Sequence, residues 1–566
     1  MIKRNAHNFI LAIFVVVILT LTIKYIEENL CISVIGDEFG YWSAAAFITD
    51  KPWHSLVSTN SYYGWGYGVI LSPILYILSQ EPVVMYQTAI VVNGIMLCFI
   101  LMVSYKCVLR FSDKKNTIQA ALIAGIVTLY PANFFSVYNT MPEILLQLLY
   151  WLMVWAVLMI SEREFLLSRN KKGGMIFLLL LLSVYIFCVH QRTIGLLIDS
   201  VIFLVCFYKR TEDKKIWNIF KVLCVIVILC VTAAGIKQLY MDWLYSPINS
   251  NDSGKAALDN DFSGIVSNIS FSWNVLRGIG LSAIGKIYYS FTASALLVGA
   301  GVFICLKKSI KRKDNRILLY IFIILGWLQA VGIAAIGMPG GFELRTDILI
   351  YGRYVEYTLG PLMAVGLVGI CQRSMSYIEA FILIILQSVI AIVTSVYIAP
   401  ESVNTNMGNI FTLSRIFQSS SNHDAVFAGS LIAVFIFSTI FMLRYEKISH
   451  EAKFILICLC EVFIFTQTYQ HDILPWQRSA NENVHVIQTY DKKRGVHDRL
   501  YVLNGGVGGK MIQFLYPDEE CLLIKDINDV EDGSFVITQY TKDTLRDISQ
   551  QYNVLYHNNI IILWRK

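Results

Sequence analysis

The chain has 566 residues, of which 56% are hydrophobic and 15% charged, with a formal net charge of +6. Its mean hydropathy is +0.57. A soluble protein of this length would need far more charge to cover its surface, and the modest positive charge falls in short clusters between apolar runs, so it is no sign of nucleic-acid binding.

Apolar runs of roughly 17–25 residues recur along the chain, the length that crosses a bilayer as a helix. They are continuous rather than alternating, which argues against a β-barrel. The composition therefore predicts a polytopic α-helical membrane protein. The twelve cysteines are scattered and mostly lie within apolar runs, and none has metal-type spacing.

Lys3 and Arg4 precede the first run and place the N-terminus inside. The first span, 8–27, lacks a small-residue cleavage site and reads as a retained anchor. An outer loop, 28–83, follows. Its stretch Tyr67–Ser79 is apolar but short and contains Pro73, so it reads as interfacial or re-entrant. The next spans are 84–109, 118–132, 141–161, 175–190, 193–208 and 217–238, and six more carry the chain to about 470. The inferred inner loops all carry Lys or Arg; KKSIKRKDNR is the most basic. One missed span would invert every later loop, so this agreement supports about thirteen transmembrane helices with the C-terminus outside. Residues 1–470 thus form the membrane domain. Residues 471–566 are polar, with short runs, Arg499–Asn504, Cys521–Lys525, Ser534–Thr538 and Asn559–Trp564, alternating with helix-like stretches, Lys510–Leu515 and Lys542–Tyr552, and read as a small extracytoplasmic α/β domain.

Within that tail, NGGVGGKM (Asn504–Met511) resembles a phosphate loop but fails its spacing: Asn504 stands where the first glycine belongs and Met511 where Ser or Thr belongs. It reads as a glycine turn between strand and helix.

Polar residues collect at the outer membrane edge. Asp37 and Glu38 follow the first span; Glu143 opens the fourth; His190 and Arg192 form the turn between the fifth and sixth; Lys286 opens the eighth; Arg345 and Arg353 flank the tenth. Ionisable groups there are expensive unless paired or solvated, so their convergence points to a cavity. A carboxylate can take a proton from a hydroxyl nucleophile, and cations can stabilise a phosphate leaving group.

The order of an apolar anchor, then GDEFGYWSAAAF (Gly36–Phe47), YYGWGYGVILSPILYIL (Tyr62–Leu78), MPEILL (Met141–Leu146) and RTDILIYGRYVEYTLGP (Arg345–Pro361) resembles the GT-C superfamily of integral-membrane glycosyltransferases. Its members include the protein O-mannosyltransferases and the lipid A aminoarabinose transferases. The resemblance implies inverting transfer of a sugar from a polyprenyl-phosphate carrier to a glycan, lipid or protein acceptor of the cell envelope, on the outer face of the plasma membrane. It implies Asp37 as the base, with Glu38 beside it in the catalytic pair. Neighbouring helical residues point about 100° apart, so Glu38 is expected to hold the loop or the acceptor. Glu143 would position the acceptor or a divalent cation, magnesium or manganese. Arg192 and Arg353, with His190 or Lys286, would hold the carrier phosphate, Arg345 would belong to the substrate-binding set, and Tyr41 and Trp42 would flank the sugar. The competing class is a flippase for a lipid-linked sugar; against it, the sequence signals no internal repeat and no paired broken spans of the transporter kind.

Overall fold

The computed structural model describes residues 2–112, 116–162, 169–211, 215–245, 272–311, 314–338, 346–398, 410–443, 450–493, 499–504, 506–558 and 560–566. Arg345 lies outside them.

Among the described residues, ten helices are long and apolar enough to cross a membrane, and twelve if each of two bent pairs counts as one span. The expected thirteen each correspond to a helix, but not all to a simple span. Thr117–Leu129 and Pro131–Val137 are bent by 56° where Pro131 removes a backbone donor. Trp273–Ala293 and Leu297–Lys311 are bent by 104°. Ala295 and Leu296 at that break have φ of 47° and 60°, a left-handed backbone that non-glycine residues adopt only under constraint. The expected tenth span is the short helix Glu356–Cys371, which is buried on almost every side. A helix enclosed by its neighbours need not match the bilayer thickness.

The expected outer loop holds three helices, Ile35–Ile48, His54–Val57 and Gly66–Leu78. The first is nearly all buried from Glu38 to Ala46. Its acids occupy the first turn, where the helix dipole favours negative charge. These helices position the site.

The last long helix, His450–Thr468, passes through a π-helical turn, Tyr469–Ile473, into Leu474–Asn481, and Val484–Lys493 follows. Beyond them lies a five-stranded sheet: β1 (Leu500–Leu503), β2 (Cys521–Ile524), β3 (Phe535–Gln539), β4 (Asn553–His557) and β5 (Ile561–Arg565), in the order β2-β1-β3-β5-β4. β1 pairs in parallel with β2 and β3; β5 pairs antiparallel with β3 and β4. Only β4 was not legible as a strand: its side chains are mostly half-buried or exposed, so no apolar alternation marks it. The glycine stretch follows β1 but is mostly helical rather than a turn: Gly506–Met511 form the start of the helix Gly506–Leu515, whose first residue, Gly506, has φ +86°.

Candidate active site

Four charged side chains from four separate parts of the chain meet at the first turn of Ile35–Ile48. Arg353 Nη1 donates to Asp37 Oδ2 at 2.5 Å, and its Nε donates to Glu143 Oε1 at 2.6 Å. Arg192 Nη2 donates to the same Glu143 oxygen at 3.1 Å. The two carboxylates and two guanidiniums form an alternating chain. Glu143 and Arg192 are almost fully enclosed, whereas the Asp37 side chain keeps 27% exposure. A buried charge persists only when it is paired and hydrogen-bonded, and this cluster satisfies that rule.

Local structure delivers each member. Asp37 lies in the first turn of Ile35–Ile48, and Glu143 is the first residue of Glu143–Ser161, after Pro142. Arg192 sits in a one-turn helix, Gln191–Thr193, whose start is capped by His190: its Nδ1 accepts from the Arg192 backbone N–H at 3.2 Å. The Arg192 guanidinium lies over the Tyr354 ring, 4.5 Å from its centroid, a favourable cation–π arrangement. Arg353 comes from the loop before Glu356–Cys371. Lys286 holds that loop: its Nζ donates to the Ile348 carbonyl and to Ser282 Oγ, both at 2.8 Å. Lys286 therefore positions the Arg353 loop, rather than standing among the guanidiniums as expected.

Burial alone would raise the Asp37 pKa, but the adjacent Arg353 charge, with hydrogen bonds from Arg353 and Tyr63, brings it below the ordinary carboxylate value. Asp37 is thus ionised at neutral pH. Burial and the two nearby guanidiniums hold His190 well below its ordinary range, so it is neutral. A neutral imidazole whose Nδ1 accepts carries its proton on Nε2.

Glu38 faces another way. Its Oε1 accepts from the backbone N–H groups of Ser33 and Val34 at 2.8 and 2.7 Å. Its Oε2 accepts from Tyr86 Oη, Thr140 N and Thr140 Oγ1 at 2.9, 2.8 and 2.6 Å. Both oxygens are used and the residue is fully buried. The expectation of a catalytic Glu38 is corrected on that ground: the roughly 100° between adjacent helical side chains sends it into the protein while Asp37 faces the opening. Trp42 is on the same inner side, with no exposed surface and its Nε1 donating to Thr140 Oγ1 at 2.9 Å; it is not placed to flank a sugar. Tyr41 is as fully buried but lies at the charged cluster: its ring meets those of Tyr63 and Tyr67 at 5.7 and 5.8 Å, and Glu143, Arg192, Arg353 and Asp37 all act on its hydroxyl electrostatically.

Several buried polar atoms in the cluster have no hydrogen-bond partner among the described residues: Tyr41 Oη, Glu143 Oε2, and Arg192 Nε and Nη1. Native proteins rarely leave such atoms unpaired, and their gathering beside an open carboxylate marks a ligand site. For a divalent cation the donor set is thin. Among the described residues no three His, Cys, Asp or Glu side chains gather as ligands, and Asp37 and Glu143 already bind Arg353. Glu143 does not fit the expected metal role, and no step is derived through a metal.

Sequence reasoning missed Tyr63, Tyr354 and Asn60. Tyr63 had a usable signal in its neighbour Gly64, which has φ +146° and whose Cβ would lie 2.4 Å from the Val189 carbonyl oxygen. That glycine lets the tyrosine-rich stretch lie against the end of the fifth span, next to His190.

Outside the cluster, the Glu356 carboxylate accepts from Tyr289. Tyr130 accepts a hydrogen bond from Thr412 Oγ1 at 3.2 Å, and both line an apolar cavity of about 480 Å³ with Met363, Ile432, Ile457 and Glu461.

The fold is that of the GT-C integral-membrane glycosyltransferases, a multi-pass helical membrane domain followed by a small α/β sheet. In particular, the chain is similar to ArnT from Cupriavidus metallidurans bound to undecaprenyl phosphate, with a TM-score of 0.59 at 12% identity over 98% of this chain and 97% of that one. The apo state of the same ArnT gives a TM-score of 0.57 at 12% identity, with the same coverage. No protein-family model matches the sequence, and no curated protein matches it significantly.

Proposed function

We propose that the chain is an inverting glycosyltransferase that moves a sugar from a polyprenyl-phosphate carrier to a cell-envelope acceptor on the extracytoplasmic face. The observation that carries this reading is the Asp37 carboxylate: ionised, partly open, and held by an arginine within a cluster of unpartnered polar atoms. In the reaction, the acceptor hydroxyl gives its proton to Asp37 as its oxygen bonds to the anomeric carbon from the face opposite the carrier. The bond from that carbon to the phosphate oxygen breaks, and its electron pair leaves with the carrier. The phosphate then carries one more negative charge, which the free Nε–H and Nη1–H groups of Arg192 are suited to receive. Arg353 keeps the base ionised and oriented. Tyr41 Oη and Glu143 Oε2 offer a donor and an acceptor to sugar hydroxyls.

The fold shared with ArnT supports the class of chemistry and a lipid-linked donor. The apolar cavity suits a prenyl tail, and tethering the donor in the membrane explains why the reactive acid stands at its edge. The positive inner loops support a cytoplasmic N-terminus and an outer sheet domain in the plasma membrane.

The test is transfer by purified protein from radiolabelled polyprenyl-phosphate sugars to an envelope extract, comparing wild type with Asp37→Asn. Wild-type transfer that is lost in a folded Asp37→Asn variant supports the reading. Movement of the lipid-linked sugar across liposomes without transfer would replace it with a flippase.

A further inference from the structure

The cluster around Asp37 is electrically balanced: Asp37 and Glu143 offset Arg192 and Arg353. Glu356 adds another carboxyl nearby. A phosphate entering this site needs a further cation, and Lys286 is committed to Ser282 and the Ile348 carbonyl.

The helix after β1 brings one. Lys510 Nζ donates to Asn60 Oδ1 at 2.7 Å. Asn60 Nδ2 in turn donates to the Gly36 carbonyl at 3.1 Å, one residue from Asp37. Asn60 is 4% exposed, so this link is built into the protein. Lys510 is half-buried; burial lowers its pKa and the charge of Asp37 opposes that shift. An ammonium has three donors, and Asn60 takes one.

The glycine stretch makes this approach possible. A Cβ on Gly509 would lie 2.5 Å from Val502 Cγ1 and 3.3 Å from Leu56 Cδ2, and one on Gly508 would lie 2.0 Å from Ile561 Cγ2. The glycines seat the helix between its own sheet and the outer-loop helices. Phe514 packs edge-on against Trp42 and Tyr86, and Trp53 Nε1 donates to the Pro517 carbonyl at 2.9 Å. The seating holds Lys510 at the rim of the site.

We propose that Lys510 is a ligand-binding residue, through which the C-terminal domain completes the active site by holding an anionic oxygen of the lipid carrier's phosphate at the rim of the site. This rests on the glycosyltransferase reading above.

The experiment measures binding of undecaprenyl monophosphate to the full-length protein in detergent, with uncharged undecaprenol and inorganic phosphate as companion probes. Lys510→Met and Lys510→Gln should weaken undecaprenyl monophosphate about tenfold, the worth of one charge-assisted hydrogen bond. Both should leave undecaprenol binding unchanged, and Lys510→Arg should restore the phosphate affinity. Inorganic phosphate bound with the same Lys510 dependence would show that the phosphate group alone is recognised; lipid binding without it would assign recognition to the tethered headgroup. Both results support the proposal. If the neutral variants bind undecaprenyl monophosphate like wild type, or lose undecaprenol equally, the role of Lys510 is overturned while the transferase reading stands. If wild type fails to bind undecaprenyl monophosphate, both fall.

Discussion

Arg353 Nη1 and Asp37 Oδ2 stand 2.5 Å apart although 316 positions separate them in the chain. The pair joins the helix Ile35–Ile48 to the loop before Glu356–Cys371, and through Glu143 it reaches the helix Glu143–Ser161 and the turn that carries Arg192. The base of the proposed reaction is therefore also a member of the network that holds these elements together.

That network makes Glu143 a stability residue. Glu143→Ala would leave Arg192 without its carboxylate and Arg353 with Asp37 alone. Breaking one side of a buried pair typically costs about 3–5 kcal/mol. Thermal unfolding in detergent should show a large drop in melting temperature for Glu143→Ala and a smaller one for Glu143→Gln, which keeps an acceptor.

The acid limb of activity should lie low. Because Arg353 brings the Asp37 pKa below its ordinary value, the basic form persists at neutral pH and is lost only as pH falls through that lowered value. Its contribution to stability has the same sign: present above the unfolded pKa of about 3.9 and lost as pH falls through the folded one. Arg353→Gln removes the opposing charge and leaves burial to raise the pKa, so the acid limb of kcat/KM should move to higher pH. A pH–rate profile that does not move would sink the assignment of Asp37 as the base.

Glu38 should behave as a structural carboxylate. In Glu38→Gln one half of the side chain presents an N–H₂ to groups that themselves donate, leaving buried donors unpaired at roughly 1–3 kcal/mol each. The expected result is clear destabilisation, with near-normal donor KM for the enzyme that remains folded. A stable but inactive Glu38→Gln enzyme would return this residue to the chemistry.

The Arg353 loop should be sensitive at a residue that never meets substrate. A Cβ on Gly285 would lie 2.2 Å from the Leu349 carbonyl oxygen, in backbone that cannot yield easily. Gly285→Ala is expected to push this loop from its seat, displace Arg353 and reduce kcat at least about tenfold, on the principle that a misplacement of about 1 Å can cost up to a hundredfold. Lys286→Met should act in the same direction by freeing the Ile348 carbonyl. Transfer kinetics beside melting curves would separate displacement from unfolding.

Much of the molecule is decided locally and is therefore legible in the sequence. Span positions follow from runs of apolar residues, because a bilayer accepts backbone only as satisfied helix. Four of the five strands of the C-terminal sheet, β1, β2, β3 and β5, follow from short apolar runs. Asp37, Glu143, Arg192 and Arg353 could be gathered because each stands at a membrane edge, where an ionisable residue needs a reason. What the sequence could not decide was direction and partnership. Asp37 and Glu38 are adjacent acids of similar chemistry, and only the packing of Ser33, Tyr86 and Thr140 turns one into an internal anchor while the other faces the opening. Trp42 and Tyr41, both fully buried, divide by partner instead: Trp42 donates to Thr140, while the Tyr41 hydroxyl lies in the field of the charged cluster. Lys286, read as a phosphate ligand, is occupied by the carbonyl of a loop 62 residues further on. Lys510, read only as part of the step from a glycine turn into a helix, reaches Asn60 from 450 residues away. Composition and periodicity report which groups are buried or paid for by a membrane, since those costs are local. Which oxygen meets which nitrogen depends on contacts between distant segments, and only the tertiary structure decides them.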